Sequence, residues 1–212
     1  MAELMNLKDY IVTGKLEDAK AVVNDAIAAG ADAQDIINNY LIKGMEEIGK
    51  RFDEGQAFVP NLLLAARAMK GCLEILKPLL ADASSASLGT LVIGTVKGDL
   101  HDIGKNLVAS MLEGCGFEVI NLGVDISDQQ FVEAVKKYNP QIVCLSALLT
   151  TTMNYMQNVI ETLSAEGLRD QVKVLVGGAP VNEEFAMKIG ADGYSSNANA
   201  AVILAKRVLQ AC

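Results

Sequence analysis

Residues 88–106 read LGTLVIGTVKGDLHDIGKN. The first nine form a nearly unbroken run of small and β-branched apolar side chains. That run is too short for a buried helix and suits a strand covered on both faces, as strands of parallel sheets are. A glycine-rich polar loop follows at 97–106, and helical spacing of apolar residues runs over 102–114. The same strand, loop and helix order recurs downstream. FEVINLG (117–123) leads to a helix over 127–138, and QIVCLSAL (141–148) to one over 152–166. VKVLVGG (172–178) leads to a helix over 182–189, and DGYSS (192–196) to the closing helix in NAAVILAKRVLQ (199–210). This alternation predicts a doubly wound, flavodoxin-like α/β domain with a five-stranded parallel sheet. The expected strand order is 2-1-3-4-5, and ligands of such sheets bind beyond the carboxyl ends of the strands, where the order reverses. The crevice should therefore lie between KGDLHDIGKN (97–106) and SALLTTTM (146–153).

Upstream, residues 1–82 read as four helices, enough for a small bundle. The first spans 4–13. In the second, Leu16, Ala19, Val22, Val23, Ala26 and Ile27 recur at helical spacing until Gly30. Asp32 suits the cap of the third, striped by Ile36, Ile37, Tyr40, Leu41, Met45 and Ile48. Pro60 suits the first turn of the fourth, striped by Leu62, Leu63, Ala66, Met69, Leu73 and Leu76. Small polar residues at 83–88 read as a linker to the second domain, 89–212. Phe52, Phe58 and Met69 are expected in the bundle core, and Met5, Met45, Met111, Met153, Met156 and Met187 in packing. Asp125 and Asp128 look like helix-start residues.

Composition narrows the function. Hydrophobic residues make up 51% of the 212, which excludes a disordered chain. Lys and Arg number 18 against 26 Asp and Glu, a net charge of −8 with no basic run, so no nucleic-acid partner is expected. No apolar stretch approaches the ~20 residues of a membrane span, and the N-terminus lacks the basic start of a signal peptide. Cys72, Cys115, Cys144 and Cys212 show no CxxC spacing, which fits a reduced, cytoplasmic compartment. Cys115 and Cys144 should be buried and inert.

The loop at 97–106 holds the single histidine, His101. It is not a P-loop: five residues separate Gly98 from Gly104, and Asn106 follows Lys105. No GxGxxG spacing occurs either. One imidazole cannot make a zinc site alone. It can supply one axial bond to a metal already held in a macrocycle. Asp99, two residues earlier, is placed to accept the other ring N–H and fix the tautomer, and Gly104 permits close approach of a bound group. The same residues also suit a surface histidine in a polar turn.

Three pieces taken together resemble the cobalamin-binding signature of the B12-dependent methyltransferases and mutases: Asp99-x-His101-x-x-Gly104, Ser146-x-Leu148 and Gly177-Gly178. GMEEIGKRFDEGQAFVPNLLLAARAM (44–69) is similar to the helical cap that precedes the cobalamin domain in methionine synthase and in small corrinoid proteins. The resemblance covers nearly the whole chain and is nearest to the free-standing corrinoid proteins of methanol, methylamine and betaine methyltransferase systems. It implies cobalamin or a related corrinoid bound base-off and His-on, with methylcobalamin as the loaded state. His101 would be the lower cobalt ligand, Asp99 its hydrogen-bond partner, and Ser146 the serine completing that relay or touching the nucleotide tail. Gly98, Leu100, Asp102 and Ile103 would add contacts along the loop, with Gly104 in the same motif. Leu148 and Thr150 resemble further contacts at the second loop. Gly177 and Gly178 would leave space for the nucleotide base, and Asn197-Ala198 resembles the segment closing the tail pocket, with Asn199 departing from a frequent serine. In the cap, Glu54 and the group around Phe58, Val59 and Leu63 would approach the upper corrin face.

The implied function is a methyl carrier, a corrinoid subunit of a methyltransferase system rather than a stand-alone enzyme. Its partners would be a substrate-specific methyltransferase, a second methyltransferase to tetrahydrofolate or coenzyme M, and a reductive activating protein. The linker would serve as a hinge for the cap. A cobalamin-dependent sensor, a mutase subunit and a flavodoxin-like module without corrinoid are the other readings.

Overall fold

The computed structural model describes residues 4–80 and 87–210. Of the stretch read as a linker and hinge, residues 83–86 lie outside the described residues, as does Cys212. The chain divides into two compact units, Met1–Leu88 with Glu113–Gly116, and Gly89–Leu112 with Phe117–Cys212.

The first unit is helical, as the spacing predicts. A 3-10 turn at Leu4–Asn6 leads into α1 (Leu7–Val12), followed by α2 (Leu16–Ala28). The third expected helix is built of three pieces: α3 (Ala33–Ile36), a π-helical turn (Ile37–Leu41) and α4 (Ile42–Asp53). Asp32 caps it by accepting the amide of Asp35 at 2.8 Å. Helix α5 (Val59–Leu76) carries Pro60 in its first turn. Leu7, Ile11, Val23, Ile36, Leu41, Leu62 and Leu76 form a fully buried core. Gly44 permits close packing of α4 on α1, since a Cβ there would fall 2.7 Å from that of Ile11.

Three apolar residues leave the places expected of them. Phe58 is 70% exposed rather than in the core. It precedes the first turn of α5 in extended backbone, outside the helical stripe, with its amide donating to the Asn61 side chain. Met5 lies on the initial 3-10 turn and Met187 on the outer side of a six-residue helix, and both are exposed rather than packed. Leu63 is also exposed, whereas Met69 is buried.

The second unit alternates β1 (Thr90–Val96), α6 (Ile103–Gly114), β2 (Glu118–Ile126), α7 (Asp128–Tyr138), β3 (Ile142–Ser146), α8 (Asn154–Ala165), β4 (Lys173–Gly177), α9 (Glu183–Lys188), β5 (Gly193–Ser195) and α10 (Ala198–Gln210). All four strand pairings are parallel and the order is β2-β1-β3-β4-β5, the expected one. On one face Val92, Val143, Leu145 and Val176 pack with Phe131 and Val135 of α7 and Met156 and Val159 of α8.

Strand β2 is longer than its sequence pattern indicates, and its register on β1 shifts on both sides of Gly94. Asp125 therefore sits within the strand, not at a helix start. Helix α7 opens instead at Ser127, whose hydroxyl accepts the Gln130 amide while the Gln130 side chain accepts that of Ser127. Asp128 stands in its first turn as expected. Cys115 and Cys144 are buried, and burial pushes the Cys144 thiol up to about 12. No helix among the described residues is long and apolar enough to cross a membrane.

A Cβ on Gly94 would lie 2.8 Å from the ring tip of Phe131. Gly94→Ala should therefore cost about 1–3 kcal/mol by over-packing. In a Phe131→Leu background the added cost should fall, and urea melts of the double-mutant cycle measure it. An equal cost in both backgrounds would show that the ring is not the obstacle.

Candidate functional site

The carboxyl end of β1 turns sharply. The Asp99 amide donates back to the Val96 carbonyl at 3.1 Å, and Gly98 takes φ +79° at the corner. No positive φ is found at Lys97, so the corner has the type II form that demands glycine at its third position. The turn places the Asp99 side chain inside the protein, at 0% exposure.

A buried carboxylate must be satisfied by donors, and Asp99 has five. One oxygen accepts the His101 amide at 3.1 Å and His101 Nδ1 at 2.7 Å. The other accepts the amides of Leu148 and Leu149 at 2.7 and 3.3 Å and the Thr152 hydroxyl at 2.8 Å. Burial alone would raise its pKa. The Leu148 amide, the His101 amide and ring, and the Thr152 hydroxyl outweigh burial and hold it well below the ordinary carboxylate range. One residue thus joins the loops after β1 and β3 at the predicted crevice.

His101 is held from two sides. Its Nδ1 faces Asp99, and its carbonyl accepts the hydroxyl of buried Thr95 at 2.9 Å. The bond to the carboxylate selects the Nδ1–H tautomer and leaves the Nε2 lone pair available. The side chain is 51% exposed. Apolar side chains on the same two loops are exposed as well: Leu100, Leu148, Leu149 and Ile103, the last at 87%. A Cβ on Gly104 would meet nothing within 4 Å. Among the described residues no three His, Cys, Asp or Glu side chains cluster to hold a metal. The donor set here is one imidazole beside an apolar surface, so it suits a metal that brings its other ligands in a flat, largely apolar ring.

The remaining expected residues take varied positions. Ser146 ends β3, level with Thr95 and Gly177, and it is not among the donors to Asp99. That hydroxyl is supplied by Thr152. Thr150 is exposed on the same loop. Gly177 ends β4, where a Cβ would lie 3.3 Å from the Ser195 carbonyl, and Gly178 has φ +127° with the Ala147 carbonyl 1.8 Å from its would-be Cβ. Close backbone approach therefore explains Gly178. Asn197 caps α10 by accepting the Ala200 amide at 2.8 Å, with Ala198 and Asn199 buried behind it. Asp102 accepts the Asn106 side chain at 2.9 Å. In the helical unit, Glu54 is exposed and ion-paired with Lys50, and Phe58 is exposed.

Three residues at the loop were not found by sequence reasoning. Thr152 is one of three consecutive threonines, which spacing cannot distinguish. Lys105, 4% exposed, reads in the sequence only as a mismatch to a P-loop. Its ammonium donates to Asn106 at 2.6 Å and to Asn121 of β2 at 2.8 Å, tying the start of α6 to the sheet. Burial lowers its pKa, against the opposing charge of Asp102. Asp125 accepts the Gly98 amide at 2.7 Å.

With fold and site defined, the chain belongs to the B12 binding domain family. One profile of that description matches residues 89–203 and a second matches 4–77. It is similar to trimethylamine corrinoid protein 2 of Methanosarcina mazei, 47% identical over 205 residues, 96% of this chain and 94% of that one. The dimethylamine corrinoid protein of Methanosarcina barkeri is 45% identical over 207 residues, 97% of each chain. Among solved structures, a cobalamin-binding protein from Desulfitobacterium hafniense matches with TM-score 0.81 at 37% identity, over 97% of this chain and 96% of that one. The methanol:cobalamin methyltransferase complex MtaBC of M. barkeri matches with TM-score 0.85 at 31% identity, over 100% of this chain and 81% of that one.

The Asp99 carboxyl gives a pH prediction. Its folded pKa lies below the ~3.9 of an unfolded aspartate, so its stabilisation is complete above that value and is lost as pH falls below it. Urea melts from about pH 6 to about pH 3 should show this loss. Asp99→Asn should lower stability at neutral pH and flatten the slope, because its amide group presents N–H to donors. Gly178→Ala should cost at least ~3 kcal/mol, the upper range for over-packing against rigid backbone.

Proposed function

We propose that this chain carries a corrinoid, held base-off with His101 as the lower cobalt ligand, and shuttles a methyl group between two partner methyltransferases. The observation that carries the reading is the 2.7 Å bond from His101 Nδ1 to a buried, fully satisfied carboxylate. That bond leaves Nε2 as the coordinating atom, in a crevice with exposed apolar side chains on both flanking loops. Bound corrinoid supplies the chemistry, accepting and releasing the methyl group at its cobalt.

The protein's share is ligation and proton control. Asp99 fixes the imidazole plane and its tautomer. When Nε2 takes a proton, the same carboxylate stabilises the imidazolium, so holding a proton and holding a metal are alternatives at one atom. Thr152 and the Leu148 and Leu149 amides keep Asp99 ionised throughout. Leu100, Ile103, Leu148 and Leu149 exclude water around the ring, with Gly98 and Asp102 completing the loop. Ser146, Thr150, Gly177, Gly178 and Ala198 lie toward the strand ends where the nucleotide tail would run.

The similarity to proteins named for trimethylamine and dimethylamine supports a methylamine-type donor, delivered by a substrate-binding methyltransferase. The likeness to a methanol:cobalamin methyltransferase complex supports direct assembly with such a partner. A second methyltransferase, to tetrahydrofolate or coenzyme M, and a reductive activating protein would complete the system. Buried thiols at Cys72, Cys115 and Cys144, none of them in a disulfide, suit a reducing cytoplasm.

His101 is the chain's single histidine, so its nitrogen can be labelled without ambiguity. In protein reconstituted with cobalamin, the EPR spectrum of the cobalt(II) state should show one axial nitrogen. Growth on 15N-histidine should convert its triplet splitting to a doublet. His101→Ala should abolish the change and weaken retention at least about tenfold. A triplet that survives the label would mean that the corrinoid's own base is still the ligand.

A further inference from the structure

We propose that Asp125 is a positioning residue for the Asp99–His101 pair, gripping the histidine loop from the neighbouring strand. Two non-glycine residues among those described have positive φ, Asn139 and Asp125. Asn139 ends helix α7 in the left-handed form usual there. Asp125, at φ +55°, lies inside β2, where no helix end calls for that conformation. The left-handed region is unfavourable for an L residue inside a strand, so something must offset it.

The offset is a pair of bonds to the loop after β1. The Asp125 amide donates to the Asp99 carbonyl at 3.0 Å, and its carboxylate accepts the Gly98 amide at 2.7 Å. These bonds hold the peptide planes on either side of the Gly98–Asp99 peptide. With the Asp99 amide on Val96, each peptide that sets the direction of the Asp99 side chain is tied to the sheet. Five donors from two loops can meet one carboxylate only if its backbone is placed to well under an ångström. Gly98 has no side chain to wedge the turn, so these bonds must hold it. Asp125 therefore acts through Asp99, bonding to the backbone of the loop rather than to the imidazole.

The proposal rests on His101 being the functional imidazole, but its main test needs no corrinoid. In cofactor-free protein at about pH 8.5, well above the ordinary imidazole value of ~6.5, the two ring 15N shifts of the lone histidine report its tautomer. Wild type should be nearly all Nδ1–H. Asp125→Gly keeps the left-handed backbone and the amide bond but removes the carboxylate, and should shift the ring toward the mixture of a free imidazole. Asp125→Asn keeps an acceptor that tolerates the same φ and should restore the wild-type tautomer. In cobalamin-loaded Asp125→Gly the histidine-ligated fraction should fall, with affinity about tenfold weaker.

A folded Asp125→Gly protein with a wild-type tautomer overturns the proposal. So does a Gly98 amide in the wild type that exchanges with solvent at the rate of an open loop rather than with the protection of β1, a measurement that needs no variant. If wild-type protein shows no histidine nitrogen on cobalt while the tautomer responds as described, the ligand assignment fails and the positioning role stands.

Discussion

The site depends on one negative charge kept out of water. The Asp99 carboxylate is wholly buried, and its cost is met by three backbone amides, a hydroxyl and an imidazole. None of those donors is a permanent cation. The arrangement therefore depends on geometry rather than on ion pairing, and it fails if either loop moves. Because the carboxylate takes backbone amides from the loop after β3, the order β2-β1-β3 is a precondition of the chemistry and not only a frame for it. An order that did not set β3 beside β1 would separate the two loops.

The supports form shells of decreasing specificity. Around Asp99 stand Thr152 and the amides of the second loop. Outside these, Asp125 holds the turn, Thr95 holds the His101 carbonyl, and Lys105 pins the start of α6 to Asn121 of β2. Beyond them the sheet is ordinary: buried aliphatic strands, with glycine wherever backbone or an aromatic ring comes close. The polar network is confined to the carboxyl edge, so the core can be tuned for stability with little effect on the site.

The sequence makes much of this legible. Short apolar runs at regular intervals give five strands, and the change from stripe to run near residue 88 divides helical from α/β architecture. The lone histidine with an aspartate two residues before it is readable because second-sphere carboxylates act at short range. Residues that act through folding were not readable. Thr152 is singled out only by the turn after β3, and nothing local separates it from Thr150. Asp125 reads as a helix-start residue because its pattern ends in a run of polar letters. Its true role depends on a register shift across two strands, which no one-dimensional spacing encodes. Phe58 reads as core from its hydrophobicity, although its position just before a helix start takes it out of the stripe.

The wide turn at Ile37–Leu41 has a consequence for how such chains can vary in length. A π-helical turn houses one residue more than an α-turn of the same rise, and it commonly arises by single-residue insertion. Deleting one residue there would close the turn into an ordinary one. Ile36 before it and Met45 and Ile48 after it would still face inward. The long helix of the first unit thus contains a place where chain length can change by one without rotating everything downstream, a tolerance that the tightly bonded loop around His101 lacks.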